Sequence, residues 1–490
     1  MKEFKKEYRQ VLKSTGLFAG SQIVIAIIGL LRSKVIALWL GTTGFGIFSL
    51  LNTPIQLIAS ITGLGLTTSA VRDIALAKNS NDSQQVGRSY AILNKWTWLS
   101  GLLGVIFTII VSPTLSHWSF GNYQHTFTFL YLSIVLLLIA LSNAQLAYLR
   151  GTRHISASIN SSILGPFLGL SLSIPLYYFL RERGIGIAIL ASAFVTLFST
   201  SIFFRKVSVP RVEISWKQAL VEGKGMVRLG IVMALGGLIS QLVAYLIILV
   251  IRTLGDMNEV GLYNAGYSLT TQYVGLIFSS ILVDYFPRLS AVNDDNLKLK
   301  NVANQQGEIT ILLLSPFLLF FILTLPFIIK ILFSSDFLEV VTFARFMAFG
   351  MFFRALSWII SFIPGAKGDN KMFLIFEILS SVIYFLLSYL GYLFWGLMGL
   401  GIAFLIQYII YWAVIYIISN RRYNYSIGRA FFRIIVVQLF FISTGVFSIY
   451  YYSGYYNCIP ILVFFISLYY SLNELNKRTN IIQFFKKMKK

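Results

Sequence analysis

Cysteine is nearly absent. Cys458 is the single cysteine among 490 residues, which excludes an intramolecular disulfide and any cysteine-based metal cluster. Three histidines, His117, His125 and His154, stand apart without the spacing of metal ligands, so no metal site is expected. Charge is also scarce: 12% of residues are charged, with 18 Asp and Glu against 40 Lys and Arg. Period-two alternation of polar and apolar residues is missing, which excludes a membrane β-barrel. No polar stretch is long enough to fold as a soluble domain between the apolar ones.

What fills the chain is apolar sequence, 57% hydrophobic overall, in runs of the length that crosses a bilayer. Fourteen spans are expected, at about 15–40, 44–70, 92–112, 126–149, 156–180, 184–204, 227–251, 259–287, 308–332, 343–364, 372–394, 397–419, 431–452 and 457–473. The basic N-terminus and the apolar run after it resemble a signal peptide. The run is span-length and no small-residue cleavage site follows, so it reads as a retained first helix. The net charge of +22 does not indicate nucleic acid, because the cations border the apolar runs and set topology. With the N-terminus in the cytoplasm, 32 Lys and Arg fall in inner links and tails and five in outer links; Arg32, Lys34 and Arg354 lie within spans. That asymmetry predicts an even number of crossings with both termini cytoplasmic.

The chain also repeats itself. Gly46-Ile47-Phe48 matches Gly261-Leu262-Tyr263, and Arg72 matches Arg288. Gly151-Thr152-Arg153 matches Gly365-Ala366-Lys367, and Gly184-Ile185-Gly186-Ile187-Ala188 matches Gly399-Leu400-Gly401-Ile402-Ala403. The offsets stay within 214–216 residues. An even number of spans in each copy predicts parallel repeats about an axis along the membrane normal. The expected organisation is a six-helix lobe at 1–204, a cytoplasmic linker at 205–225, and a second six-helix lobe at 226–420. Two extra helices at 430–473 and a basic cytoplasmic tail at 474–490 complete it. The linker contains Trp216 and reads either as a short interfacial helix or as a tether.

Charges at membrane depth are the candidate functional residues, since a bare cation there costs roughly 3 kcal/mol on insertion scales. Arg32 and Lys34 sit in the first span, just before the bend Gly41-Thr42-Thr43-Gly44. They face a wet cavity or a partner, or else snorkel to the interface. Arg354 lies midway along span ten, and Glu377 in span eleven is either its partner or a site for a coupling ion. Arg252 occupies roughly the repeat position of Arg32, with Asp256 near enough in sequence to neutralise it. Asp284 and Arg288, four residues apart, form either an intrahelical ion pair or a gate. Gln56, Gln272, Asn143, Gln145 and Asn160 supply amides that suit sugar hydroxyls or glue helices together. Cations outnumber acids at membrane depth, which favours an anionic cargo.

The run Leu40-Gly41-Thr42-Thr43-Gly44-Phe45-Gly46-Ile47-Phe48 resembles the LGxxGxGxY/F signature of bacterial polysaccharide flippases. Phe286-Pro287-Arg288-Leu289-Ser290 is similar to the FPxLS segment that closes their eighth span. The layout of six, six and two spans resembles the Wzx-type O-antigen translocases of the multidrug/oligosaccharidyl-lipid/polysaccharide (MOP) exporter superfamily. The fold this implies is an all-α polytopic membrane protein of 14 transmembrane helices, with two MATE-like lobes and two C-terminal helices.

The function it implies is a flippase of the bacterial inner membrane, not an enzyme. Its cargo would be undecaprenyl-diphosphate-linked oligosaccharide, moved to the periplasmic leaflet by alternating access. On the same resemblance Arg354, Arg32 and Lys34 line a cationic cavity for the diphosphate. Arg252 joins them as a candidate on its charge and repeat position, and Glu377, Asp284 and Arg288 are the candidates for coupling or gating on the residues alone. No cofactor is implied, and the coupling ion, proton or sodium, is left open. The implied partners are the lipid-linked oligosaccharide and membrane lipids, with the protein working as a monomer beside polysaccharide polymerase and assembly proteins. The rivals are a lipid II flippase or a drug/cation antiporter of the same superfamily. A membrane glycosyltransferase or O-antigen polymerase is the rival of another class. It needs a sizeable outer loop or catalytic acids, whereas the link at 113–125 has no Asp or Glu.

Overall fold

A computed structural model describes residues 2–80, 82–210, 212–451 and 458–479. Side chains are described from residue 20 onward, except at 273–274, 276–277, 279–284, 450–451 and 479. The described chain is helical nearly throughout, because lipid offers backbone groups no hydrogen-bond partners. The helices are α1 (Lys2–Thr62), α2 (Leu66–Asn79), α3 (Ser83–Phe120), α4 (Thr126–Gly151), α5 (Ile155–Leu180), α6 (Gly184–Arg205) and α7 (Trp216–Glu222). After them come α8 (Lys224–Leu254), α9 (Met257–Ser290), α10 (Asn296–Leu332), α11 (Val340–Ala366), α12 (Asn370–Tyr423), α13 (Arg429–Tyr451) and α14 (Ile459–Thr479). Short 3-10 turns precede α6 at Arg181–Arg183 and α11 at Ser335–Glu339.

Among the described residues ten helical stretches are long and apolar enough to cross a membrane. Three of them are far longer than one crossing needs, and one, Ile155–Arg205, is divided by the 3-10 turn before α6. The 61-residue α1 bends at Gly41 (φ 65°), and the 54-residue α12 bends at Trp395 and Gly396 (φ 54° at the glycine). Both glycines take the left-handed backbone that a Cβ disfavours, so each long helix breaks where a glycine permits it. The protein is therefore an all-α polytopic chain of about ten to fourteen membrane helices. The expected second span, 44–70, ends sooner than the hydropathy suggests. Leu64 (φ 51°) and Gly65 (φ 61°) turn the chain, and α2 starts as a separate helix.

The chain packs as two compact units, Met1–Asn264 and Ala265–Lys490. In the first unit α8 and the opening two turns of α9 pack with the N-terminal helices. The internal match around residue 46 has a spatial counterpart there. A Cβ on Gly46 would lie 2.2 Å from the carbonyl oxygen of Met257, and one on Gly261 would lie 2.0 Å from that of Thr42. Residues 42 and 257, like 46 and 261, are 215 apart, so each glycine meets the counterpart of the residue that meets its own partner. The hydroxyls of Thr42 and Thr43 both donate to Oδ1 of Asn258, at 2.9 and 2.6 Å. The same N-capping device opens the two longest helices after α1 and α12. Asp82 accepts from the amides of Gln84 and Gln85 at α3, and Asp295 accepts from those of Leu297 and Lys298 at α10.

The segment 205–225 is docked rather than a loose tether. Ser215 and Gln218 form a capping box that starts α7. Nε1 of Trp96 donates to the carbonyl of Ala219 at 2.9 Å, the ammonium of Lys95 donates to the carbonyl of Ile214, and Ala219 is fully buried. Arg88 grips Glu222 with two bonds, at 2.5 and 2.8 Å. Trp216 stays exposed, with Lys95 5.0 Å from its ring.

In the second unit α11 and α12 make the tightest pair, with Gly350 against Phe404 and Gly401 against the carbonyl of Phe343. Asp369 caps α12 and joins its two ends, accepting from Met372 N and from the side chains of Arg422 and Tyr423. The part of the expected tail that is described, Glu474–Thr479, continues α14 rather than hanging free. Glu474 is buried and takes Lys477, Arg478 and, at 3.5 Å, Arg433, while Arg478 also reaches Glu308 of α10 at 2.6 Å. Residues 480–490 lie outside the described residues.

Two tests follow from this packing. Gly261→Val should cost about 1–3 kcal/mol of stability, the usual penalty of overpacking, read as a lower thermal midpoint of the detergent-solubilised protein. Gly29→Ala, at a helical site with nothing within 4 Å, should leave that midpoint unchanged or raised; equal effects of the two would remove the close contact. The second test concerns α7. The hydrogen bond from Arg88 holds the Glu222 carboxyl below its ordinary range, so its contribution is full above the unfolded carboxyl pKa and is lost as pH falls through the folded one. Docking of α7 should loosen only in acid, seen as faster proteolysis near residue 216, and Glu222→Gln should show the loosened state at neutral pH.

Candidate functional site

The clearest charge at membrane depth is in the second unit. Arg354 projects from α11, half-buried, with its guanidinium carbon 5.8 Å from the ring of Phe278 and 5.7 Å from that of Tyr408. One terminal nitrogen approaches the sulfur of Met351 at 3.7 Å. Tyr267, Tyr384 and Glu377 complete its electrostatic surroundings. Among the described residues no carboxylate comes within ion-pair distance of Arg354, so the direct pairing with Glu377 is not made. Each cation–π contact contributes about 0.5–2 kcal/mol and engages the ring faces without consuming the in-plane N–H donors. The arrangement therefore stabilises a cation at membrane depth and leaves its hydrogen-bonding fork available.

Arg32 belongs to a different place, a cavity of about 230 Å³ inside the first unit. Both arms of the bent α1 line it, Arg32 from the first and Phe48, Asn52 and Gln56 from the second, together with Asn143 of α4 and Tyr177 of α5. Nε of Arg32 is buried without a hydrogen-bond partner. A second cavity, of about 310 Å³, shares Gln56, Ile139 and Asn143 with the first and continues past Thr67 and Thr68 to Gln241. Neither cavity is lined by an Asp or Glu.

Other expected site residues are placed elsewhere. Lys34 is half-buried but does not line the Arg32 cavity, because residues two apart on a helix point to different sides. Arg252 donates from Nη2 to the carbonyl of Phe120 at 2.6 Å, where a cation satisfies the C-terminal end of α3. Asp256 is the cap of α9, accepting from Glu259 N at 2.8 Å, and among the described residues it makes no ion pair with Arg252. Arg288 is exposed near the end of α9, and the side chain of Asp284 lies outside the described residues. Of the amides, Gln56 and Asn143 reach the cavity, Gln145 bonds Ser201, and Asn160 and Gln272 are exposed. Sequence reasoning missed Asn52, Tyr177 and Tyr408. Asn52 was within reach, since it lies one helical turn before Gln56.

Comparison with known proteins places the chain in a family. Residues 35–342 match the model of a family described as polysaccharide biosynthesis protein. The lipid III flippase of Escherichia coli is 21% identical over 423 residues, covering 82% of this chain and 97% of that protein. Among solved structures, the lipid II flippase MurJ in an inward closed conformation superposes with a TM-score of 0.72 at 15% identity, covering 95% of this chain and 99% of that one. An inward-facing multidrug resistance MATE transporter of the MOP superfamily gives a TM-score of 0.70 at 17% identity, covering 83% and 98%. These likenesses show a shared fold. The chain belongs to the polysaccharide biosynthesis protein family and is a polytopic membrane protein related to the MOP-superfamily flippases and antiporters.

Proposed function

We propose that this chain is an alternating-access flippase that carries a polyprenyl-diphosphate-linked oligosaccharide across the bacterial inner membrane, with Arg354 holding the diphosphate. The observation that carries the reading is a guanidinium at membrane depth, stabilised by rings and unpaired with any described carboxylate. A diphosphate accepts its fork in bidentate fashion. The narrower O-antigen assignment gives way here to the wider class, since the relatives named above are flippases of lipid III and lipid II and a multidrug transporter. A lipid II flippase is the second reading, favoured by the likeness to MurJ over 95% of this chain. A cation antiporter draws on the MATE likeness, but the cavities of the first unit offer it no acid.

The proposed topology has fourteen crossings and both termini in the cytoplasm. Dividing α1 at Gly41, α12 at Gly396 and the stretch Ile155–Arg205 at its 3-10 turn, and adding α9, raises ten apolar stretches to that number.

The test is flipping of a lipid-linked oligosaccharide in vesicles, normalised to inserted protein. Arg354→Ala should lower the rate by about thirtyfold or more, matching the 2–5 kcal/mol lost when one partner of a buried charge pair is truncated. Arg354→Lys should recover part of it, since a point charge lacks the fork. Full transport by Arg354→Ala would overturn the assignment. Glu377→Gln should weaken dependence on the proton or sodium gradient, and an unchanged gradient response would remove Glu377 from coupling.

A further inference from the structure

The Arg32 cavity calls for a ligand of its own. We propose that it is a recognition pocket for a carboxylate-bearing sugar residue of the transported glycan. The inference rests on the glycan-flippase reading and adds the class of sugar.

Three observations point to it. The first is the charge: Nε of Arg32 is sealed from solvent without an acceptor, and among the described residues no carboxylate pairs with this guanidinium. A planar carboxylate matches the guanidinium fork, and a hydrogen bond to a charged group is stronger than one between neutral groups. The second is the rest of the lining. Asn52, Gln56 and Asn143 each offer both a donor and an acceptor, and Ser192 and Thr196, whose hydroxyls already donate to the carbonyls of Gly169 and Ser192, add acceptor oxygens. This donor–acceptor mixture suits a ring of hydroxyl groups, and a simple anion would leave the acceptors unused. The third is size. A cavity of about 150 Å³ holds a benzene ring, so about 230 Å³ admits a six-membered sugar ring with its substituents. A chloride ion would leave most of that space empty. The adjoining cavity, reached past Gln56 and Asn143 and lined by Ser60, Thr67, Thr68 and Gln241, gives the following sugars an acid-free polar path.

The test uses the purified full chain in nanodiscs, with free glucuronate, glucose and acetate as probes and calorimetry or ligand-induced thermal shift as readout. Glucuronate should bind saturably and at least about tenfold more tightly than either glucose or acetate, the least that a hydrogen-bonded charge contact contributes. Arg32→Gln should remove the preference over glucose, and Arg32→Lys should restore part of it. Gln56→Glu alters an exposed side chain that threatens the fold less, and placing a carboxylate in the pocket should weaken glucuronate about tenfold. Equal binding of acetate and glucuronate would reduce the site to a plain anion site and overturn the sugar assignment. Equal binding of glucose and glucuronate would overturn the role of the charge, and no binding of glucuronate would overturn the pocket. Binding of the free sugar acid requires no flipping, so the two readings fail separately. Discrimination by Arg32 without any lipid-linked transport sinks the flippase reading alone, and transport without discrimination sinks the pocket alone.

Discussion

The cost of holding a guanidinium away from water governs the arrangement of this protein. Three arginines at or near membrane depth meet that cost in three ways. Arg252 turns one terminal nitrogen to the open carbonyl end of α3, although its Nε, like that of Arg32, is buried without a partner. Arg354 leans on the faces of Phe278 and Tyr408, a partial compensation that leaves donors in the plane. Arg32 faces a cavity of amides and hydroxyls with one nitrogen unsatisfied. The three differ in what their terminal nitrogens meet after packing: a carbonyl at Arg252, ring faces at Arg354 and an amide-lined cavity at Arg32, a distinction that depth alone does not make.

Backbone constraints set where those charges sit. Lipid permits little except helix, so the chain changes direction mainly at glycine, and Gly41 aims both arms of α1 at one cavity. Close approach of helices is likewise a glycine matter at Gly46 and Gly261, where each backbone fills the place of the other's side chain. The spacing of 215 residues between these two glycines joins a repetition in sequence to a reciprocal contact in space.

Much of this was legible in the residues alone. Helical class and membrane residence follow from the apolar runs, and the superfamily from the resemblance carried by residues 40–48 and 286–290. The cations at depth were found, but their grouping was not. Arg32 and Lys34 are neighbours in sequence and diverge on the helix, and the carbonyl that occupies Arg252 lies 132 residues away. The rings around Arg354 carried no signal, because 27 tyrosines and 42 phenylalanines make any one of them unremarkable. Docking of α7 was equally hidden, since it depends on Arg88, Lys95 and Trp96 meeting a segment more than a hundred residues later.

The ion-pair cluster at the end of α14 bears on how the protein is made. Glu308 of α10 finds its partner in Arg478, 170 residues further along the chain. At ribosomal speeds of about 5–20 residues per second, the acid waits on the order of ten to thirty seconds for that charge to be synthesised. Until then α10 carries a carboxylate whose guanidinium partner does not yet exist. The last described turn of α14 thereby completes the surroundings of an acid on α10, and a chain without it leaves Glu308 lacking this guanidinium.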